Sequence, residues 1–241
     1  MTQGYQAVVL DIEGTTTSIS FVYDALFPFV RREVEAFLTA SWDDAGVQAD
    51  VDQIRQDTDA LLGGEPAIPA NEAGAEAVRA GVLASLRAQM DRDLKATGLK
   101  GLQGRIWRHG YTSGELLGHV FEDVPAALRS WEAAGVPVYI YSSGSVAAQK
   151  LLFGHSVAGD LRPLLSGYFD TTTGPKKVAA SYTAIAKAIG RAPAEILFAT
   201  DSLQEAVAAR EAGMQTVLSV RPGNAQVPAH DFRVVKTLAG L

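Results

Sequence analysis

Short apolar runs punctuate the chain, and each ends abruptly in polar residues. Ala7-Val8-Val9-Leu10 stops at Asp11, and Val136-Pro137-Val138-Tyr139-Ile140-Tyr141 stops at Ser142. Ile196-Leu197-Phe198-Ala199 stops at Thr200-Asp201, and Thr216 to Val220 turns away at Arg221-Pro222-Gly223. Their length and β-branching predict buried strands. Pro137 is tolerable at the start of such a strand. Between them the apolar period lengthens. Val124, Ala127, Leu128 and Trp131 share one face of a helix expected over 123–134, with Asp123 as its cap, Pro125 in the first turn and Gly135 at its end. A second helix is expected over 146–153. Val178, Tyr182, Ile185 and Ile189 predict a third over 177–189, broken by Gly190 and Pro193, and 203–212 a fourth, closed by Gly213.

Strands that alternate with helices imply a parallel sheet covered on both faces, with right-handed crossovers. Residues 20–120 depart from this rhythm. Leu26, Val30, Val34 and Phe37 mark one helix, Val51, Ile54 and Leu61 another, and Val78, Val82, Leu86, Met90 and Leu94 a long third. Gly63-Gly64-Glu65-Pro66 opens a loop that runs to Gly74, and no strand pattern interrupts the block. The expectation is an α/β protein: a Rossmann-like parallel sheet core over 1–19 and 122–241, carrying an all-helical insertion over 20–121.

Composition narrows the class without naming a function. A length of 241 residues allows one domain or two small ones and a core that needs no staple. Cysteine is absent, which excludes a disulfide scaffold, an iron–sulfur site and thiol catalysis, and fits a reducing compartment. Lys and Arg number 21 against 27 Asp and Glu, so the net charge of −6 disfavours nucleic-acid binding through bulk charge. No apolar stretch approaches the roughly 20 residues of a membrane helix, and no secretory signal opens the sequence. The expectation is a soluble, cytoplasmic protein. A monomer is preferred because no apolar helix is left over.

The candidate chemistry lies where the strands end, since open α/β sheets bind ligands at the carboxyl ends of their strands. The first strand ends in Asp11-Ile12-Glu13-Gly14-Thr15-Thr16-Thr17, the second in Ser142-Ser143-Gly144-Ser145 and the third in Thr200-Asp201-Ser202, while Gly174-Pro175-Lys176-Lys177 precedes a helix. Such a rim suits phosphoryl transfer. A carboxylate such as Asp11 can attack phosphorus. Asp11 and Asp201 would repel unless a hard cation sat between them, and Mg²⁺ fits oxygen donors of this kind. Ser142 or Ser143, with the N–H groups that open the next helix, can hold phosphate oxygens. Lys176 can balance the remaining charge, and Glu13 can donate a proton to a leaving alkoxide.

Strand-Asp-x-acid-Gly-Thr, strand-Ser, lysine before a helix and strand-Asp, in that order, resemble the haloacid dehalogenase-like phosphohydrolases. Glu13 stands where most of those phosphatases carry a second Asp. That form, with Tyr139-Ile140-Tyr141-Ser142-Ser143-Gly144-Ser145-Val146, resembles the enolase-phosphatase E1 family of methionine salvage. Supporting stretches are residues 149–156 (QKLLFGHS), Gly167-Tyr168-Phe169-Asp170-Thr171, Val220-Arg221-Pro222-Gly223-Asn224, and Leu102-Gln103-Gly104 with Trp107.

The resemblance implies roles residue by residue. Asp11 would be the nucleophile and a magnesium ligand. Glu13 would be the general acid–base and give its backbone carbonyl to the metal. Ser142 and Ser143 would bind phosphate, Lys176 would pair with phosphate and Asp11, and Asp201 would be the second metal carboxylate. The substrate would be 2,3-diketo-5-methylthiopentyl 1-phosphate, enolised and then dephosphorylated to an acireductone, with the helical insertion as a cap hinged at 18–22 and 118–123.

Plainer explanations weigh against each assignment. Asp11, Ser142, Ser143 and Asp201 can be simple helix caps, Glu13 a solvated acid and Lys176 a surface lysine. The coincidence of several matching strand ends outweighs them. Glu205 is open between orienting a metal-bound water and facing solvent. His109, His119, His155 and His230 show no metal spacing and are expected to be structural. Arg105 to Tyr111 either reads substrate or packs the insertion against the core. Rival functions are a Mg²⁺-dependent phosphatase of another small ester and a non-catalytic protein that binds phosphate or Mg²⁺.

Overall fold

The structure is a computed structural model, and it describes residues 4–241. In chain order its elements are β1 (Ala7–Leu10), α1 (Ile19–Phe21), α2 (Phe27–Ala40), α3 (Ala45–Leu62), α4 (Ala75–Asp91), α5 (Thr97–Ser113), α6 (Asp123–Ala133), β2 (Val138–Tyr141), α7 (Val146–Gly154), β3 (Gly167–Phe169), α8 (Ala179–Ile189), β4 (Ile196–Thr200), α9 (Leu203–Glu211), β5 (Gln215–Ser219) and β6 (Arg233–Val235). The chain divides into two compact units. One joins the residues up to Asp24 to Gly114–Leu241, and the other is Ala25–Ser113. The division lies several residues inside the expected 20–121 insertion. Phe21 and Phe121 pack against the core of the sheet unit, and the Phe121 N–H donates to the Thr16 carbonyl, which keeps both flanks with the sheet.

The sheet is wholly parallel, in the order β3-β2-β1-β4-β5-β6. Alternation along β1 feeds two cores, because successive side chains point to opposite faces. Val8 and Leu10 join Val138, Ile140, Leu197 and Ala199 under α6 and α7, around the buried Trp131. Ala7 and Val9 join Ile196, Phe198 and Tyr141 under α8 and α9, around Tyr182 and Ile185. A strand covered on both faces reads as a continuous apolar run, which is why β1 and β4 stand out in the sequence. The edge strands β3 and β6 do not. Each has three residues, mostly partly exposed, so neither makes a visible pattern.

Asp123 does not cap α6 as expected. It is the first helical residue, and its carboxylate accepts both Arg221 Nη1 and Nη2 at 2.9 Å, the Thr237 hydroxyl at 2.9 Å and the Leu238 N–H at 2.6 Å. Burial would raise its pKa, but these donors outweigh burial and hold it below the ordinary carboxylate value.

The second unit is helical throughout, as its pattern predicts, but holds four long helices rather than three. α5 carries Leu99, Leu102 and Ile106 into the unit's interior, where its glycines obscure the apolar period. Those glycines are spacers. A Cβ on Gly98 would collide with Ile54, and one on Gly101 with Asp50, so α5 lies close against α3. The Gly98 N–H donates to buried Asp57 Oδ2 at 2.7 Å, which satisfies one of the open amides in the first turn of α5. Leu94 falls beyond the end of α4, and Leu61 is largely exposed.

Candidate active site

Asp11 follows β1 directly and is 4% exposed. Its N–H continues the ladder to the Ala199 carbonyl. Its Oδ1 accepts the Ile12 N–H at 2.7 Å and Lys176 Nζ at 2.6 Å, and its Oδ2 accepts the Thr200 hydroxyl at 3.2 Å. Lys176, rather than Lys177, turns inward. Its carbonyl is tied to the Tyr182 hydroxyl at 2.6 Å, and its ammonium lies 2.8 Å from Glu205 Oε2 and 5.7 Å from the centre of the Tyr141 ring. Glu205 therefore does not face solvent. It is buried in the first turn of α9, with its Oε2 2.9 Å from the Thr200 hydroxyl, whose one proton can be directed to it or to Asp11 Oδ2.

Asp201 directly follows β4, beside the loop from Asp11 to Thr17. Gly14 allows this approach. Its φ is +69°, and a Cβ there would overlap the Asp201 carboxylate. The loop is fastened from outside. Arg221 Nε donates to the Thr15 carbonyl at 3.1 Å, and Asn224 Nδ2 to the Gly14 carbonyl at 3.0 Å. The Ser18 N–H donates to His119 Nδ1 at 3.2 Å. His119, packed against the Phe21 and Phe121 rings, is thereby placed in a structural role.

The turn after β2 differs from expectation in one respect. Two of the N–H groups that open α7 already have partners. Val146 N–H donates to Asp170 Oδ2 at 3.1 Å, and Ala148 N–H to Ser145 Oγ at 3.3 Å. Buried Ser142 and exposed Ser143 lie ahead of that helix, with the Gly144 N–H donating to Ser142 Oγ at 3.1 Å. In the helical unit, Arg105 is engaged by Asp50 at 2.6 Å and Trp107 Nε1 by the Leu26 carbonyl at 3.0 Å, so these two side chains brace their own unit.

Four carboxylates and one ammonium dominate the electrostatics of the site. Burial alone would depress Lys176, but Asp11 and Glu205 outweigh it and hold the ammonium above its ordinary range. Asp201 is pushed up to about 7, first by burial and then by the charges of Asp11 and Glu13, against the opposing effect of Lys176. Glu205 is also pushed up to about 7, by burial and Asp11, despite its contact with Lys176. Lys176 thus stays cationic while the two acids hold protons unusually tightly.

In metal-free protein both acids bind protons more strongly folded than unfolded, where their ordinary values are 3.8 and 4.5. Their contribution to stability is therefore full below about pH 4 and is lost as pH rises towards 7. Urea midpoints measured in EDTA are expected to fall across that window. A rise across it would contradict the raised values. Gly14→Ala is expected to cost about 1–2 kcal/mol for the left-handed backbone. It should reduce turnover further, because Asp201 must retreat. Turnover lost only in proportion to folded protein would count against that placement.

Sequence reasoning did not single out Thr200 or Tyr182. Thr200 is the last residue of β4, and its hydroxyl links Asp11 to Glu205. Its position just before Asp201 was the available signal. Tyr182 had read as core only.

The sequence matches the family model of haloacid dehalogenase-like hydrolases over residues 5–213. It is 51% identical to the enolase-phosphatase E1 of Synechococcus elongatus, over 95% of this chain and 94% of that protein. It is 48% identical to a probable bifunctional methylthioribulose-1-phosphate dehydratase/enolase-phosphatase E1 of Zea mays, over 97% of this chain but 46% of that protein. The chain thus spans about half the length of the plant relatives it matches. Among solved structures, the UTR4 protein of Saccharomyces cerevisiae superposes with a TM-score of 0.79 at 34% identity, over 98% of this chain and 100% of that one. On fold, family model and near full-length identity together, the chain belongs to the haloacid dehalogenase-like hydrolases and, within them, to the enolase-phosphatase E1 family.

Proposed function

We propose that the chain is a Mg²⁺-dependent enolase-phosphatase. It acts on 2,3-diketo-5-methylthiopentyl 1-phosphate and yields the acireductone and inorganic phosphate. The observation that carries this reading is the buried Asp11–Lys176–Glu205 cluster beside Asp201, in a chain of this family.

The donor set fits a magnesium ion. Among the described residues no three acidic, histidine or cysteine side chains form a metal cage on their own. Mg²⁺ rarely asks for one, since it takes one or two carboxylates and retains several waters. Asp11 and Asp201 would supply two oxygens and the Glu13 carbonyl a third. Four carboxylates facing one ammonium leave an excess of negative charge that a divalent ion offsets. When bound, the ion neutralises phosphate charge and polarises the diketone.

The side chains account for the remaining steps. Asp11 attacks phosphorus, the bond from phosphorus to the C1 oxygen breaks, and the leaving oxygen takes a proton from Glu13. Glu13 then accepts a proton from the water that hydrolyses the aspartyl-phosphate, which frees phosphate and regenerates both carboxyls. Ser142 and Ser143 bind phosphate oxygens, and Lys176 holds Asp11 in place and faces the transferred group. Enolisation precedes transfer: a proton leaves the carbon next to the carbonyl, the C–H electron pair forms the C=C bond, and the carbonyl oxygen takes up a proton as the enol hydroxyl.

The test is one assay on purified protein, with and without Mg²⁺, that follows phosphate and ene-diol absorbance together. A 2,3-diketo-1-phosphate is compared with simple phosphate esters. Both signals, dependent on Mg²⁺ and strongly favouring the diketone, are expected. Phosphate from simple esters alone would remove the enolase half. Release from no substrate would leave a protein that binds without turnover.

A further inference from the structure

Asn224 lies past the end of β5, in the turn after Arg221, and reaches back to the Asp11–Thr17 loop. Its Nδ2 donates twice, to the Gly14 carbonyl at 3.0 Å and to the Ser219 carbonyl at 3.2 Å. Both partners are carbonyl oxygens, which can only accept, so the orientation of the amide is determined by its neighbours. Oδ1 must then face the other way. It is buried and has no hydrogen-bond partner. It also faces a defined place. A Cβ on Gly14 would lie 3.0 Å from Asn224 Oδ1 and would overlap the Asp201 carboxylate. The orphaned acceptor and the Asp201 carboxylate therefore both pack against the same side of Gly14.

A buried acceptor without a donor forfeits its hydration for nothing in return, so it calls for an explanation. The backbone donors beside it are already committed. The Asn224 N–H donates to the Arg221 carbonyl and the Gly14 N–H to the Thr17 carbonyl. A water fits the chemistry of the position. Mg²⁺ keeps several waters, and those waters are strong donors that need acceptors held in the right direction.

We infer that Asn224 is a positioning residue of the cation site. Its Nδ2 pins the Gly14 turn, and its Oδ1 accepts a hydrogen bond from a water carried by the ion next to Asp201. The residue touches neither substrate nor metal. It fixes the hydration shell and so the orientation in which the ion is presented. This inference rests on the proposed Mg²⁺ reading and goes beyond it by assigning the turn after β5 a part in the site.

The test is Mg²⁺ titration calorimetry on the full chain without substrate, for wild type, Asn224→Ala and Asn224→Leu, beside melting temperatures in EDTA. Leu nearly keeps the volume and removes both polar atoms. Both variants are expected to bind Mg²⁺ about tenfold or more weakly. A crystal structure of wild type grown with Mg²⁺ is the decisive arm, since it does not depend on a variant that folds. A water within hydrogen-bond distance of Oδ1 and bound to the ion is expected. If wild type binds Mg²⁺ but Oδ1 has no such water, or Asn224→Leu binds as tightly as wild type, this inference is overturned and the cation reading stands. If wild type does not bind Mg²⁺ at all, both fall.

Discussion

Asp11→Asn is expected to lower turnover at least about a thousandfold while the protein stays folded. An amide cannot attack phosphorus as a carboxylate does. The local contacts survive the change. The amide oxygen of the new side chain can still accept the Ile12 N–H and the Lys176 ammonium, which meet Asp11 Oδ1 at 2.7 and 2.6 Å. The new amide N–H can donate to the Thr200 hydroxyl, whose own proton then goes to Glu205, already 2.9 Å away. Lys176 keeps Glu205 as its counter-ion at 2.8 Å. Removal of one charge also relieves Asp201, whose raised pKa owes part of its shift to Asp11. Phosphate release and melting temperature in EDTA check the two halves. Turnover within tenfold of wild type would remove Asp11 as the nucleophile. A collapsed melting temperature would mean that its contacts are chiefly structural.

Lys176→Met should act on stability and catalysis together, and the two effects can be separated. The ammonium is the shared partner of Asp11 and Glu205, and its side chain is only 10% exposed. Without it, two buried carboxylates face each other through the Thr200 hydroxyl. Breaking a buried pair by removing one partner costs about 3–5 kcal/mol. The loss is expected to be largest near pH 8 and smaller near pH 6, where Glu205 takes up a proton. Lys176→Met/Glu205→Gln should recover most of the stability, because the stranded acid is gone. It should not recover turnover, which is expected to stay at least about a hundredfold down for want of a fixed charge near the phosphate. Turnover that returned with stability would make Lys176 a structural ion pair rather than part of the phosphate site.

The strands that carry the chemistry were the legible ones. β1, β2 and β4 occupy the middle of the sheet, where burial on both faces demands uninterrupted apolar residues. Their ends therefore show as sharp changes of polarity, and Asp11, Ser142 and Asp201 stand at those changes. β3 and β6 are edges of three residues and leave no such mark. The same difference separates α4, whose apolar stripe reads clearly, from α5, which buries glycines against α3 to let two backbones approach. Glycine as a spacer looks like a helix breaker until its neighbour is known.

The site divides along a similar line. The order of motifs placed Asp11, Glu13, Ser142, Ser143, Lys176 and Asp201 at one rim, since β-strand ends in an open parallel sheet must converge there. Roles that depend on two distant segments meeting were not legible. Glu205 at an exposed-looking helix start is buried only because Lys176 arrives from 29 residues earlier in the chain. Asp123 looked like a helix cap until Arg221 took its carboxylate. Two of the amides that open α7, those of Val146 and Ala148, looked ready for phosphate until Asp170 and Ser145 took them.

The sequence by itself determined which segments are buried and where each buried strand meets polar residues, because burial and backbone period are written locally. Only the tertiary structure decided which carboxylates share one ammonium, which acids hold their protons near neutrality, and which acceptor above Gly14 is left without a donor. Those are properties of distances between residues far apart in the chain, and electrostatic energy depends on that separation and on the dielectric around it.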